Sequence, residues 1–352
     1  MSAKVHFLLL AVFMVLGIFE ANAQHIKRLG AAAAYGTIIP HSSELGPLSQ
    51  TNPFGLSASL QVMNPSQESW EMCNCFHYLG LKFSYDNFNN PEVLGSAYSL
   101  TGTFEPILWQ NGSWTFSLLS GIGFSYLSRH FDPVSNPENI FFSVPVNFLV
   151  FLAPGLEYRF ASDWSGQVSV SYNHISNGGQ KQPNKGMNYP MIGVGVNHFI
   201  SPRQLPYYNN PGFSASWKYY ADLGYSNKQG VENSGRRPVF VLAAGAFRRF
   251  STVNGLGGGL ELTQDYSQAV DAHRWDNLTI APFVAHHFLF GRIEFGQRMA
   301  YYLQKPLDYH GAGFYQRYTL KYRIWRSFWM GMGLKAHGHV AENVDFRAGW
   351  RF

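Results

Sequence analysis

Alternation with period two, repeated along nearly the whole chain, is the feature that most restricts its fold. In residues 143–160, Val144, Val146, Phe148, Val150, Leu152, Leu156, Tyr158 and Phe160 share one face, while Asn147, Glu157 and Arg159 share the other. Side chains alternate in this way along a strand that has one apolar and one polar surface. From Gly30 onward the pattern recurs at about 30–40, 54–63, 76–87, 94–106, 113–128, 143–160, 164–176 and 190–200. It resumes at about 213–225, 237–250, 256–265, 276–289, 291–303, 314–326, 328–340 and 342–352. Most of these segments reach the roughly 9–11 residues of a membrane-crossing strand. In a soluble sandwich the apolar face would meet a core; in a membrane barrel it meets lipid, and the polar face lines the interior. Composition favours the barrel. Only 13% of residues are charged, glycine and aromatic residues are abundant, and no long apolar run beyond the N-terminus offers a helical span.

The expected fold is therefore all-β, an antiparallel transmembrane β-barrel of about sixteen strands. A Pro- and Asn-rich joint, Pro202 to Pro211 (PRQLPYYNNP), divides the strands into two sets of eight and suggests an internal duplication. Two eight-stranded units in tandem and one sixteen-stranded barrel both satisfy the pattern, and the tandem is the preferred reading. Arg317, Lys321, Arg323, Arg347, Arg351 and Glu294 fall on the inward parity of the second set. They either pack a narrow interior as ion pairs or line a wider pore. The last segment ends in Phe352, and a terminal strand closed by an aromatic residue resembles the assembly signal of bacterial outer-membrane barrels.

At the N-terminus, Lys4, the apolar run from Val5 to Phe19 and Ala21-Asn22-Ala23 read as a secretory signal peptide over residues 1–23, with the mature chain starting at Gln24. The expected units are then 24–202 and 203–352, the second of unknown role. Cys73 and Cys75 provide no disulfide framework; a bond between residues so close is expected to be strained, and the pair reads as structural or incidental. A net charge of +5, spread along the chain, gives no basic run of the kind that binds nucleic acid.

The seventh segment carries chemistry. In WSGQVSVSYNHIS (164–176), Trp164, Val168, Val170 and Tyr172 form the apolar face, and His174 and Ser176 share its parity. A hydroxyl becomes a useful nucleophile beside a base that accepts its proton, and residues two apart on a strand project side by side. A third group should orient the imidazole from its other nitrogen. Asn188 suits this role, because it shares parity with Ile192, Val194 and Val196 on the next apolar face. The turn Asn177-Gly178-Gly179 can aim backbone amides at a developing oxyanion. Barrel chains of this kind begin in the periplasm, so the seventh strand delivers His174 and Ser176 to the extracellular leaflet, where lipopolysaccharide resides.

HISNGG followed by PN-x-G resembles the active-site signature of the lipid A 3-O-deacylase family, the outer-membrane acyloxyacyl-hydrolase-like barrels. The resemblance covers roughly residues 30–200, and the second half lies outside the short family members. It implies an eight-stranded barrel with His174 as general base, Ser176 as nucleophile, the amides of Asn177 and Gly179 as oxyanion hole, and a supporting role for Asn184. Family members complete a triad with Glu twelve residues after the Ser. Here that position is Asn188, a departure that removes the charge but keeps a hydrogen-bond acceptor.

Other motifs compete less well. His337 and His339 lie on a polar parity without a following Ser, which suits a packed interior better than a weak metal site. GLGGGL at 255–260 reads as a barrel turn or bend, and His41-Ser42 point to opposite faces of a strand. Lys181 and Lys185 either meet lipid A phosphates or are simply solvated. The expected function is an outer-membrane serine esterase that removes an ester-linked 3-hydroxyacyl chain from the lipid A of lipopolysaccharide, with no cofactor and no metal. A porin-like or structural barrel with a degenerate motif is the alternative, as is an outer-membrane phospholipase. Neither the acyl chain removed nor the oligomeric state follows from the sequence.

Overall fold

A computed structural model describes residues 25–201, 205–209, 212–230, 235–268, 277–305, 313–338 and 340–352. The expected signal peptide, His339 and much of the Pro-rich joint lie outside them. The first eight strands are β1 (Ile26–Gly36), β2 (Phe54–Met63), β3 (His77–Asn87), β4 (Ser96–Asn111), β5 (Trp114–Leu127), β6 (Val146–Arg159), β7 (Trp164–Ser176) and β8 (Met187–Phe199). The second eight are β9 (Trp217–Gln229), β10 (Arg236–Arg249), β11 (Asn254–Asp265), β12 (Leu278–Phe290), β13 (Ile293–Tyr301), β14 (Phe314–Trp325), β15 (Phe328–His337) and β16 (Val340–Arg351). Each set is a closed antiparallel barrel. The first closes through β1 on β8, with Arg28 opposite Phe199 and Gly36 opposite Met191. The second closes through β16 on β9, from Phe346 opposite Tyr225 to Arg351 opposite Tyr220. The tandem reading holds. GLGGGL lies inside β11 rather than in a turn; Gly257 and Gly259 sit where added side chains would collide with the β10 backbone.

Closure removes every sheet edge, and each strand divides its side chains between an apolar exterior and a packed interior. Val146, Val150, Leu152, Leu156, Tyr158, Val168, Val170 and Tyr172 all point outward. Among the described residues no helix is long and apolar enough to cross a membrane. An eight-stranded barrel is just wide enough for side chains to fill it. In the first barrel, Arg28 donates to Gln61 Oε1 at 3.0 Å and Glu157 Oε2 at 2.8 Å and pairs with Glu105, and Ser117 Oγ donates to Glu105 Oε1 at 2.6 Å. This polar layer lies at the lower end, where odd-numbered strands begin. Above it, Leu149, Phe151, Ile175, Met187 and Met191 pack with loop residues such as Phe141 and Phe142. That apolar plug anchors the upper ends of β6, β7 and β8.

The second interior resolves the question of pore or ion pairs. Arg298 reaches Asp222 at 2.8 Å and Glu261 at 3.3 Å, Arg317 reaches Glu261 at 2.9 Å, and Lys321 reaches Asp222 at 2.9 Å. Arg347 pairs with Asp222 and Asp345, and Arg351 with Glu294. Buried charges persist when each meets an opposite one with hydrogen bonds to spare. These side chains fill the barrel.

The barrels stand side by side, their odd strands pointing the same way. At the lower end Asn74 Nδ2 donates to Thr252 Oγ1 at 2.8 Å, and the Phe104 and Phe290 rings meet at 5.1 Å. Cys73 and Cys75, expected to be a structural or incidental pair, are joined as a disulfide in this lower turn. The left-handed Asn74 between them (φ 53°) lets the chain fold back within two residues. At the upper end the turn after β7 touches the start of β16.

Candidate active site

β7 places the base and the hydroxyl by register alone. Ile175 points inward and is fully buried in the plug, so its neighbours His174 and Ser176 point outward. His174 lies directly opposite Asn188 across the β7–β8 ladder, where facing side chains come within reach. His174 Nδ1 is 2.7 Å from Asn188 Oδ1, and His174 Nε2 is 3.0 Å from Ser176 Oγ. An amide oxygen only accepts, so this arrangement puts the imidazole proton on Nδ1. The Nε2 lone pair then faces the Ser176 hydroxyl, which donates to it. This is the tautomer a general base requires. Ser176 is 7% exposed, because the loop around Gly186 closes over it. A Cβ on Gly186 would stand 3.0 Å from His174 Cε1 and 3.2 Å from Ser176 Cβ. The glycine of PN-x-G is thus a spacing residue, held by Gly186 N–H donating to Phe141 O at 3.2 Å.

The turn after Ser176 is built around one side chain. Asn177 Nδ2 donates to Ser143 Oγ at 2.9 Å and Lys181 O at 2.8 Å, while Asn177 Oδ1 accepts from Gln180 N–H at 3.0 Å. Gly178 and Gly179 adopt φ of 68° and 80°, the left-handed region a Cβ disfavours. The Asn177 N–H, expected to face an oxyanion, donates to Asn184 Oδ1 at 3.0 Å, so its donor is committed in this state. Among the described residues the Gly179 N–H shows no such commitment. Removing the Asn177 brace with Asn177→Ala loosens a turn made of two glycines. We expect kcat on an ester substrate to fall about tenfold to a hundredfold with the barrel intact, read from steady-state rates and gel migration with and without heating.

Read from the sequence, His41 has no catalytic partner, because its neighbour Ser42 points to the opposite face of a strand. The structure brings it to Asn188 instead, with Nδ1 3.4 Å from Asn188 Nδ2. Lys185 pairs with Glu44 at 3.1 Å and Lys181 is exposed. His337 is an interior residue, with Nε2 3.0 Å from the Tyr302 hydroxyl and Nδ1 3.5 Å from Glu342. Cys73, Cys75 and His77 cluster at the lower end, but their sulfurs are spent on the disulfide and supply no thiolate ligand.

Residues 54–197 match the family model described as lipid A 3-O-deacylase (PagL), and residues 213–352 match the one described as acyloxyacyl hydrolase, C-terminal domain. The second half, which the resemblance in sequence leaves outside the short family members, is thus covered by a model of its own. No curated protein matches the chain. Among solved structures, the outer membrane enzyme PagL aligns at 21% identity over 47% of this chain and 97% of its own, with a TM-score of 0.35. Neisserial surface protein A aligns at 11% identity over 49% of this chain and 96% of its own, with a TM-score of 0.35. A Rhodopseudomonas blastica porin mutant aligns at 10% identity over 93% of this chain and 100% of its own, with a TM-score of 0.23.

Proposed function

Because this chain belongs to the lipid A 3-O-deacylase (PagL) family, matched in both barrels, we propose that it is a serine esterase of the outer membrane, exported by its N-terminal signal, that removes an ester-linked 3-hydroxyacyl chain from lipid A. One observation carries this reading: a base and a hydroxyl, 3.0 Å apart, at the upper end of an outward apolar face. A soluble substrate has no reason to meet that surface. An acyl chain lying in the outer leaflet meets that face, beside the loop that covers Ser176.

In the proposed reaction Ser176 Oγ attacks the acyl carbonyl carbon while His174 Nε2 takes the hydroxyl proton. Asn188 Oδ1 holds the imidazole through Nδ1–H as it becomes imidazolium. Asn lacks the charge that would stabilise this cation, so its contribution is orientation. The Gly179 N–H is the donor we assign to the tetrahedral oxyanion, and Asn184 fixes the turn by holding the Asn177 amide. The sugar oxygen of lipid A departs with the proton from Nε2. Water then attacks the acyl-serine with His174 again as base, releasing the 3-hydroxy fatty acid and restoring Ser176. No cofactor enters any step.

The filled interiors of both barrels argue against a conducting pore. Purified full-length protein incubated with lipopolysaccharide should convert lipid A to a species lighter by one hydroxyacyl group, with free 3-hydroxy fatty acid, in mass spectra. Unchanged lipid A from folded protein would end the proposal. Release of fatty acid from glycerophospholipid vesicles instead would redirect it to a phospholipase.

A further inference from the structure

Replacing a carboxylate by an amide in a catalytic triad creates a problem of orientation. A carboxylate offers His174 two equivalent oxygens. Asn188 offers one oxygen and one NH2 group, and only the oxygen can accept from Nδ1–H. Turned by half a rotation, the amide would donate to Nδ1 and force the imidazole proton onto Nε2. His174 would then point a proton at Ser176 and could not accept one. The wrong tautomer in a triad is known to be very costly.

His41 supplies what the amide lacks. The chain beyond β1 continues beside the start of β8: Thr37 N–H donates to Pro190 O at 3.1 Å and Ile39 N–H to Asn188 O at 2.8 Å. This isolated bridge pairs Ile39 with Asn188. Two residues on, the His41 ring comes to the far side of the Asn188 amide, with Nδ1 3.4 Å from Nδ2. An amide NH2 has no lone pair to offer, so the contact uses the Nδ1 lone pair of His41 as acceptor. With Nδ2 held there, Oδ1 is left to His174 at 2.7 Å.

We infer that His41 is a positioning residue for deacylation: through its Nδ1 lone pair it fixes the amide of Asn188 in the one orientation that leaves His174 able to accept the Ser176 proton. The inference rests on the esterase reading and extends the row of groups to four: Ser176, His174, Asn188 and His41. In this chain the residue behind the amide supplies the direction that a carboxylate has by symmetry.

The test is a set of variants in the full-length protein, assayed by fatty acid release from lipopolysaccharide, with heat-modifiable gel migration as the control for folding. His41→Ala should lower kcat roughly tenfold or more with KM within about twofold, because substrate binding does not pass through the amide. His41→Asn, whose Oδ1 can stand where Nδ1 stood, should recover most of that loss. In an Asn188→Glu background, where neither oxygen is wrong, His41→Ala should change kcat less than about twofold. Equal losses in the two backgrounds, or no loss from His41→Ala in the native one, would overturn the role of His41. Should Asn188→Glu itself be inactive, the comparison of His41→Ala with His41→Asn decides: equal defects refute the orienting contact. Absence of Ser176-dependent release from the unsubstituted protein would instead remove the esterase reading beneath it.

Discussion

Ser176→Ala should abolish release of hydroxy fatty acid from lipid A, by about 10⁴-fold or more in kcat, while the protein remains a folded pair of barrels. The size follows from the chemistry: without Oγ there is no acyl-enzyme, and what survives is the modest rate given by binding and oxyanion donors to a bystander water. Folding should be spared, because the hydroxyl packs at an outward position and the interior anchors on either side, Ile175 and Met187, are untouched. A fluorophosphonate probe gives a second readout. It should label the native protein at Ser176, label Ser176→Ala not at all, and label His174→Ala far more slowly, since the probe also needs the deprotonated hydroxyl. Equal labelling of all three would mean that Ser176 is not the activated group. Equal deacylation by native protein and Ser176→Ala would assign the chemistry elsewhere.

The placement of His174 beside Ser176 is legible in the sequence because its two central facts are local. Parity along 164–176 puts His174 and Ser176 on the outward face, and that segment coincides with β7, as 54–63 does with β2. Contrast in side-chain type made these strands legible. Where contrast fails, boundaries drift: β1 ends at Gly36 rather than residue 40, since Ala31 to Ala34 give no periodic signal. β8 begins at Met187, before Pro190, because a proline on this rim does not stop the ladder. Relations across strands were harder to see. Nothing in the local sequence around His41 says that Ile39 bridges to Asn188, yet that bridge is what brings the ring to the amide. The Asn177 amide looked available because its partner, Asn184, is seven residues away in a loop without periodicity. The second half was opaque for another reason. Its inward charges suit ion pairs and a wider pore alike, a barrel of ion pairs has no site to read, and its relation to the first barrel depends on two turns meeting in space.

Those turns motivate the second large effect, from Gly179→Ala. At φ 80° an alanine carries backbone strain on the order of 1–3 kcal/mol. Its Cβ would also stand 2.5 Å from Glu342 O and 3.0 Å from Ala341 O, both at the start of β16 in the second barrel. Backbone at that distance cannot rotate away as a side chain can. Either the turn retreats from the second barrel or φ changes, and in both cases the Gly179 N–H leaves the direction assigned to the oxyanion. Loss of one such donor costs about 10²–10³-fold in kcat, and we expect that loss with little change in KM or in the heat-modifiable fold. Gly112→Ala is the matched control. Gly112 has φ 56° but an added Cβ meets nothing within 4 Å, so it bears the strain without the collision and should keep activity within about twofold. A similar small effect from both would mean that β16 does not bear on the turn. A large effect confined to Gly179 would give the second barrel a physical task. It would be the wall against which a two-glycine turn, which has little stiffness of its own, is held in shape. Gln180 points the same way, since its Oε1 accepts from Arg236 at 2.7 Å at the start of β10, a second hold of that barrel on the turn.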